Sequence, residues 1–409
     1  MSSGPDTSDL AGELAGPRLP SHVYLHVPFC RSKCSYCDFY SVSDPARADV
    51  DAVLLGLETE VHRWVQSGLP GVLETVYVGG GTPTFAMPHL RDVLGNLVDE
   101  IPLRAGAEIT VEANPDSLDS SVARALRGVG VTRISVGVQS FDDHSLRVLG
   151  RAHDVQQAQE ACETVLDAGL DLSIDLMCGV PGQSVSSWVE TLDRAVRTGA
   201  RHISVYPLTL EEGTPLAVAC DSGLLDEPDP DMAAEMMVLA EEALALAGIE
   251  RYEVANYAVP GHESAHNLAY WTGHSYLGVG PAAHGMLDAA TARAVGLVAG
   301  PQLPVGTSRV RYAYAADFEA WLLQRDPPEI ETLSEDEARR EDVMLGLRLV
   351  RGVPASAIHG ARLDSVVESL ASQDLLEAVD DQRDERRWRT TRRGWLLGNE
   401  VFRRVWTQE

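Results

Sequence analysis

From residue 22 to about residue 255, short apolar runs alternate with amphipathic stretches in a rhythm that few folds accept. The strand candidates are His22–Val27, Thr75–Val78, Glu108–Glu112, Arg133–Val138, Leu172–Met177 and His202–Tyr206. Helical patterns fall between them at about 45–67, 88–99, 119–128, 154–168 and 184–198, with another at 231–246. Alternation of this regularity predicts parallel βα units. Six units are too few to close an eight-stranded barrel, so an α/β fold with an open, partial βα barrel is expected. In such folds the site lies at the C-terminal ends of the strands. Asn114, Gln139 and Gly179 sit just past strand ends, as does the run Gly79–Thr82, which places the residues of chemical interest on one rim.

The first of those strand ends carries the most specific motif, His26-Val-Pro-Phe-Cys-Arg-Ser-Lys-Cys-Ser-Tyr-Cys-Asp-Phe-Tyr40. Cys30, Cys34 and Cys37 have the spacing C-x3-C-x2-C, with no fourth cysteine nearby. Cubane iron–sulfur clusters are held by cysteine thiolates, usually four, so three leave one iron open to a small molecule. A structural zinc site wants four closed ligands; zinc completed by a histidine such as His26 is the competing reading. Val78-Gly-Gly-Gly-Thr-Pro-Thr84 follows the second strand, and its glycines let backbone approach a ligand closely. Glu112 ends a strand beside Pro115. Asp175 is an acid inside an otherwise apolar strand, a costly burial unless it is paired or hydrogen-bonded.

The cysteine spacing after an apolar strand resembles the signature of radical S-adenosylmethionine proteins. The segments, in their order, are similar to those of the anaerobic coproporphyrinogen III dehydrogenase and its relatives, from about Tyr24 to Gly285 and again near the C-terminus. The resemblance implies a [4Fe–4S] cluster on Cys30, Cys34 and Cys37. It implies S-adenosylmethionine-side roles for Tyr24, Tyr36, Gly80, Gly81, Thr82, Glu112, Gln139, Arg151 and Asp175. Two departures stand out: the dehydrogenase has a further cysteine where this chain has Phe39, and a longer N-terminal arm. Cys-Ser-Tyr-Cys-Asp-Phe and His266-Asn-Leu-Ala-Tyr-Trp271 instead resemble the sister branch of HemW-type haem chaperones. That likeness implies haem binding by His266, Asn267, Tyr270 and Trp271. It further implies transfer to an apo-haemoprotein acceptor, with a membrane-associated acceptor and a homodimer left open. A histidine can ligate haem iron; a hydrogen-bonded turn histidine is the competing reading of His266.

Composition narrows the rest. The 409 residues carry a net charge of −28, which disfavours nucleic acid. One run goes against this: Arg383, Arg386, Arg387, Arg389, Arg392 and Arg393, interleaved with Asp384 and Glu385, read as a solvated face. Six cysteines, three in one loop, form no disulfide framework and suit a reducing compartment. With no secretory pattern in residues 1–20, read as a disordered tail, and no apolar run near the roughly 18 residues of a membrane helix, a cytoplasmic protein is expected. The expected organisation is that tail, a barrel over 21–255, a connecting region over 256–330 with the His266–Trp271 motif, and a small winged-helix-like domain over 331–409. Ser334-Glu-Asp-Glu337 reads as a capping box at the start of that last domain.

Overall fold

In a computed structural model, residues 19–297, 303–380 and 385–408 are described. The tail expected over residues 1–20 lies, through residue 18, outside the described residues, as does Arg383. The six βα repeats are β1 (His22–Val27), α1 (Arg47–Gln66), β2 (Leu73–Gly80), α2 (His89–Glu100), β3 (Leu103–Ala113), α3 (Ser120–Gly128), β4 (Arg133–Gln139), α4 (Val155–Asp167), β5 (Asp171–Cys178), α5 (Val185–Arg197), β6 (His202–Pro207) and α6 (Pro230–Leu246). Helices α3 to α6 open where side chains serve their free amides: Asp119 caps α3, Asp154 and Ser184 form capping boxes on α4 and α5, and Asp229 caps α6.

All six strands pair in parallel, in chain order. The sheet does not stop there. Helix α7 (Ala265–Trp271) leads into β7 (Tyr276–Val279), a seventh parallel strand on the free edge of β1. Strands β8 (His284–Asp288), β9 (Thr307–Ala313) and β10 (Glu329–Ser334) continue antiparallel beyond it. On the other side, Asn256–Ala258 and Glu250–Arg251 add to β6, giving an open sheet of twelve strands among the described residues.

Strand alternation has opposite uses on the two faces. Val111, Ile134, Val136, Ile174 and Ile203 are buried under the helices in the main core. The inward positions are polar instead: Glu112 stands beside Ser135, Ser135 beside Ser173, and Ser173 beside His202, with Asp175 opposite Ser204 one step on. Closed βα barrels fill this space with bulky branched side chains. Small polar residues leave it hollow here.

The capping box at Ser334 forms as expected and opens α8 (Glu335–Gly346). Helices follow at Ala355–Gly360 and Asp364–Ser372, with a three-stranded antiparallel sheet of Val353–Pro354, Leu376–Asp380 and Arg386–Thr390. The last of these strands ends at Thr390; Arg392–Leu396 is helical, because Thr391 caps it by accepting from the Gly394 amide. In the described part of the arginine run Arg386, Arg392 and Arg393 are exposed, as expected of a solvated face, and several members also have partners. Arg389 pairs with Glu377, Arg392 with Glu241 and Glu242 of α6, while Arg387 and Arg393 donate to backbone carbonyls.

Candidate active site

The hollow is a cavity of about 550 Å³ running from the cysteine loop to the barrel floor. Cys30, Cys34, Tyr36 and Cys37 line one end; Gly80, Gly81, Thr82, Glu112, Gln139, Arg151 and Asp175 line the walls. The sequence motifs, up to 145 positions apart, thus meet in one place. Asn267 alone of its motif lines the cavity, near Arg133 and Ser264 at the floor, and Tyr24 is absent from the lining.

The loop is held from both sides. The Gly81 and Thr82 amides donate to the carbonyls of Val27 and Phe29, and the Ser35 amide donates to Leu149. Gly81 has no alternative: a Cβ there would stand 2.6 Å from the Phe29 oxygen. Gly80 takes a φ of +114°, which glycine alone adopts without strain. All three thiols are free and half-buried. Arg151 donates from Nη1 to Cys34 Sγ at 3.2 Å and from Nη2 to Asn114 Oδ1 and the Gly137 carbonyl. The Thr82 hydroxyl points at Cys30 Sγ from 3.6 Å. Burial pushes the Cys30 and Cys37 thiols up, so a metal must displace their protons. Among the described residues, no three His, Cys, Asp or Glu side chains are gathered to hold a single metal ion. Three sulfurs on one loop, faced by a cation and a hydroxyl and opening on a cavity, suit a polynuclear cluster.

Two carboxylates sit on the wall. The Tyr77 hydroxyl donates to Glu112 Oε1 at 2.8 Å and the Gly80 amide to Oε2 at 3.2 Å. Burial pushes Glu112 up to about 7 despite both bonds, with Asp175 adding to the rise. Asp175 is raised by burial too, and accepts from Ser135 at 3.3 Å. Gln139 holds a φ of +64° at its strand end, strain of the kind that collects at functional sites.

His266 lies away from that rim. Its partners, His22 and Thr75, lie at the N-terminal ends of β1 and β2, the pole opposite the cysteines. The ring is 1% exposed, with Nδ1 2.7 Å from Thr75 Oγ1 and Nε2 2.9 Å from the Tyr270 hydroxyl. Burial, with His22 nearby, pushes it down to about 3, so it is neutral. Trp271 lies under the Arg348 guanidinium, 5.3 Å from the ring centre. Helix α7 is pinned at its start by Glu108, which accepts from the Ala265 and His266 amides and pairs with Arg133. Sequence reasoning missed Tyr77, Glu108, Arg133, Ser135, Ser173, His202 and Ser204. Their signal was available as polar residues at every second strand position.

Residues 24–195 match the Radical SAM superfamily and residues 333–397 the HemN C-terminal domain. With the open sheet and cysteine loop, these matches define the class: a radical S-adenosylmethionine scaffold with a HemN-type C-terminal domain. Coproporphyrinogen III oxidase (HemN) from Escherichia coli has the same fold, with a TM-score of 0.76 at 20% identity, covering 96% of this chain and 91% of that one. Heme chaperone HemW of Mycobacterium tuberculosis is 34% identical over 406 residues, covering 97% of each chain. Heme chaperone HemW of Bacillus subtilis is 33% identical over 390 residues, 93% of this chain and 97% of that one. The chain belongs to the HemW family. Membership of the superfamily implies a [4Fe–4S] cluster and S-adenosylmethionine. No helix among the described residues is long and apolar enough to cross a membrane.

Proposed function

We propose that this protein is a haem chaperone that binds haem and passes it to an apo-haemoprotein. The observation that carries the reading is likeness to haem chaperones over nearly the whole chain. Cys30, Cys34 and Cys37 would hold the cluster. Gly80, Gly81, Thr82, Glu112, Gln139, Arg151 and Asp175 would hold S-adenosylmethionine, with Tyr36 in the cysteine loop and Tyr24 one layer behind. A three-thiolate cluster supplies an open iron for the amino and carboxylate groups of that cofactor. The carboxylates and hydroxyls on the cavity wall offer partners for the polar groups of that cofactor. Haem is assigned to the α7 segment, His266, Asn267, Tyr270 and Trp271, by the likeness of that motif to the one in haem chaperones. For His266 to reach the iron, one ring nitrogen must give up its bond to Thr75 or to Tyr270. Because the ring is buried, haem binding through this residue is coupled to a shift of α7 against β1 and β2.

The test is anaerobic reconstitution of the full chain, followed by haem titration of wild type and His266→Ala and by assay of coproporphyrinogen III decarboxylation. The reading expects haem bound by wild type, weaker binding with a shifted Soret band in the variant, unchanged iron content, and no decarboxylation. An unchanged Soret band and affinity would remove His266 as ligand. Decarboxylation well above a cysteine-free control would replace the chaperone with a dehydrogenase.

A further inference from the structure

The His266 ring, which is outside the cavity lining, is joined to the Glu112 wall through one side chain. The His266 imidazole lies nearly parallel to the Tyr77 ring, with centroids 5.1 Å apart and planes at 27°. On another side Tyr24 stacks on Tyr77 at 6.2 Å and 24°. The Tyr77 hydroxyl extends from this stack to Glu112 Oε1 at 2.8 Å, and the other oxygen of Glu112 accepts from the Gly80 amide of the glycine run. Tyr24 is itself placed. Its hydroxyl lies 3.0 Å from His26 Nδ1, and His26 Nε2 lies 3.2 Å from the Tyr40 carbonyl beyond the cysteine loop. A carbonyl only accepts, so neutral His26 donates from Nε2 and Tyr24 donates to Nδ1.

We propose that Tyr77 is a positioning residue that carries the placement of His266 on α7 to the Glu112 carboxylate, and so sets how tightly the cavity holds a ligand's ammonium group. The inference rests on the cofactor reading above, with S-adenosylmethionine as the ammonium-bearing ligand, and does not depend on haem. A filler of the barrel needs only the ring. The hydroxyl, aimed at a buried carboxylate on the wall, is what a filler would lack. The groups facing Glu112 are Tyr77 on β2, Asp175 on β5, Tyr24 on β1, Tyr206 on β6 and Tyr270 on α7. Of these, Tyr77 stabilises the ionised form through its hydrogen bond, whereas Asp175 opposes it. Ligand ammonium is gained as pH rises through the titration of Glu112. Losing the phenol hydroxyl moves that titration upward. By linkage, any ligand that pulls His266 off Tyr77 must alter affinity at Glu112, and the reverse must hold equally.

The experiment is equilibrium dialysis of S-adenosylmethionine against the cluster-reconstituted full chain across a pH series spanning neutrality. Wild type, Tyr77→Phe, His266→Phe and His266→Ala are compared at matched iron content. Tyr77→Phe keeps the ring and is expected to bind about tenfold more weakly near neutrality, the size of one lost charge-assisted hydrogen bond, with its pH midpoint displaced upward. His266→Phe keeps the stack and should retain affinity; His266→Ala should lose part of it. Wild-type affinity in Tyr77→Phe, or weakening with an unmoved midpoint, overturns the inference. Wild type that binds no S-adenosylmethionine overturns it together with the cofactor reading.

Discussion

Replacing Glu108 by alanine should free α7 while leaving the barrel standing. One oxygen of Glu108 accepts from the Ser264 hydroxyl at 3.3 Å and the His266 amide at 3.2 Å; the other accepts from the Ala265 amide at 3.1 Å. Arg133 Nη1 is 3.3 Å from that second oxygen, with side-chain exposures of 7% for Arg133 and 12% for Glu108. Arg133 also donates to the His262 carbonyl at 2.9 Å, so the pair staples segment 262–267 to β3 and β4. Removing one partner of a buried ion pair costs about 3–5 kcal/mol, since the other charge stays buried. Lost amide bonds at the helix start add about 1 kcal/mol. The terms overlap, and detachment of α7 limits the total, so about 4 kcal/mol is expected. Hydrogen exchange should show α7 amides losing most of their protection while β3 and β4 keep theirs. Replacing both partners, Glu108→Gln with Arg133→Met, should recover part of the loss, because no lone charge then remains. A change below about 1 kcal/mol, with α7 exchange unaltered, would refute the staple.

Replacing Cys30, Cys34 and Cys37 together by alanine should abolish the brown, oxygen-sensitive cluster, read as iron and sulfide content after reconstitution. Gly81→Ala should disorder the cysteine loop and lower iron incorporation, because its Cβ would lie 2.6 Å from the Phe29 oxygen. Burial holds His22 down to about 4 and His266 to about 3, below their unfolded value of 6.5. The unfolded chain therefore binds more protons below that value, and stability should fall as pH drops from 6.5 toward 4. Urea midpoints across that range should decline less steeply in His266→Phe than in wild type.

Much of the barrel was legible because its signals are local. Strand cores, caps and the cysteine and glycine runs each occupy a few consecutive residues, and β1 matches its expected bounds. Strand β7 was not legible: Tyr276–Val279 is four residues long, and nothing in it announces pairing with His22–Leu25, some 250 positions earlier. The burial of His266 was hidden for the same reason, since Thr75 and Tyr77 become its neighbours only when α7 returns to the first two strands. Asp175 was recognised by the cost of burying it. Ser135, which satisfies it, carries no such mark on its own.

The most direct test of the haem-chaperone account is haem transfer. The cluster-reconstituted, haem-loaded chain is mixed with an apo-haemoprotein in the presence of a haem-binding scavenger, beside an equal amount of free haem. The account predicts that the acceptor gains haem from the loaded chain and little from the free pool, which the scavenger takes. Equal loading from both sources, or none from the chain, would contradict it.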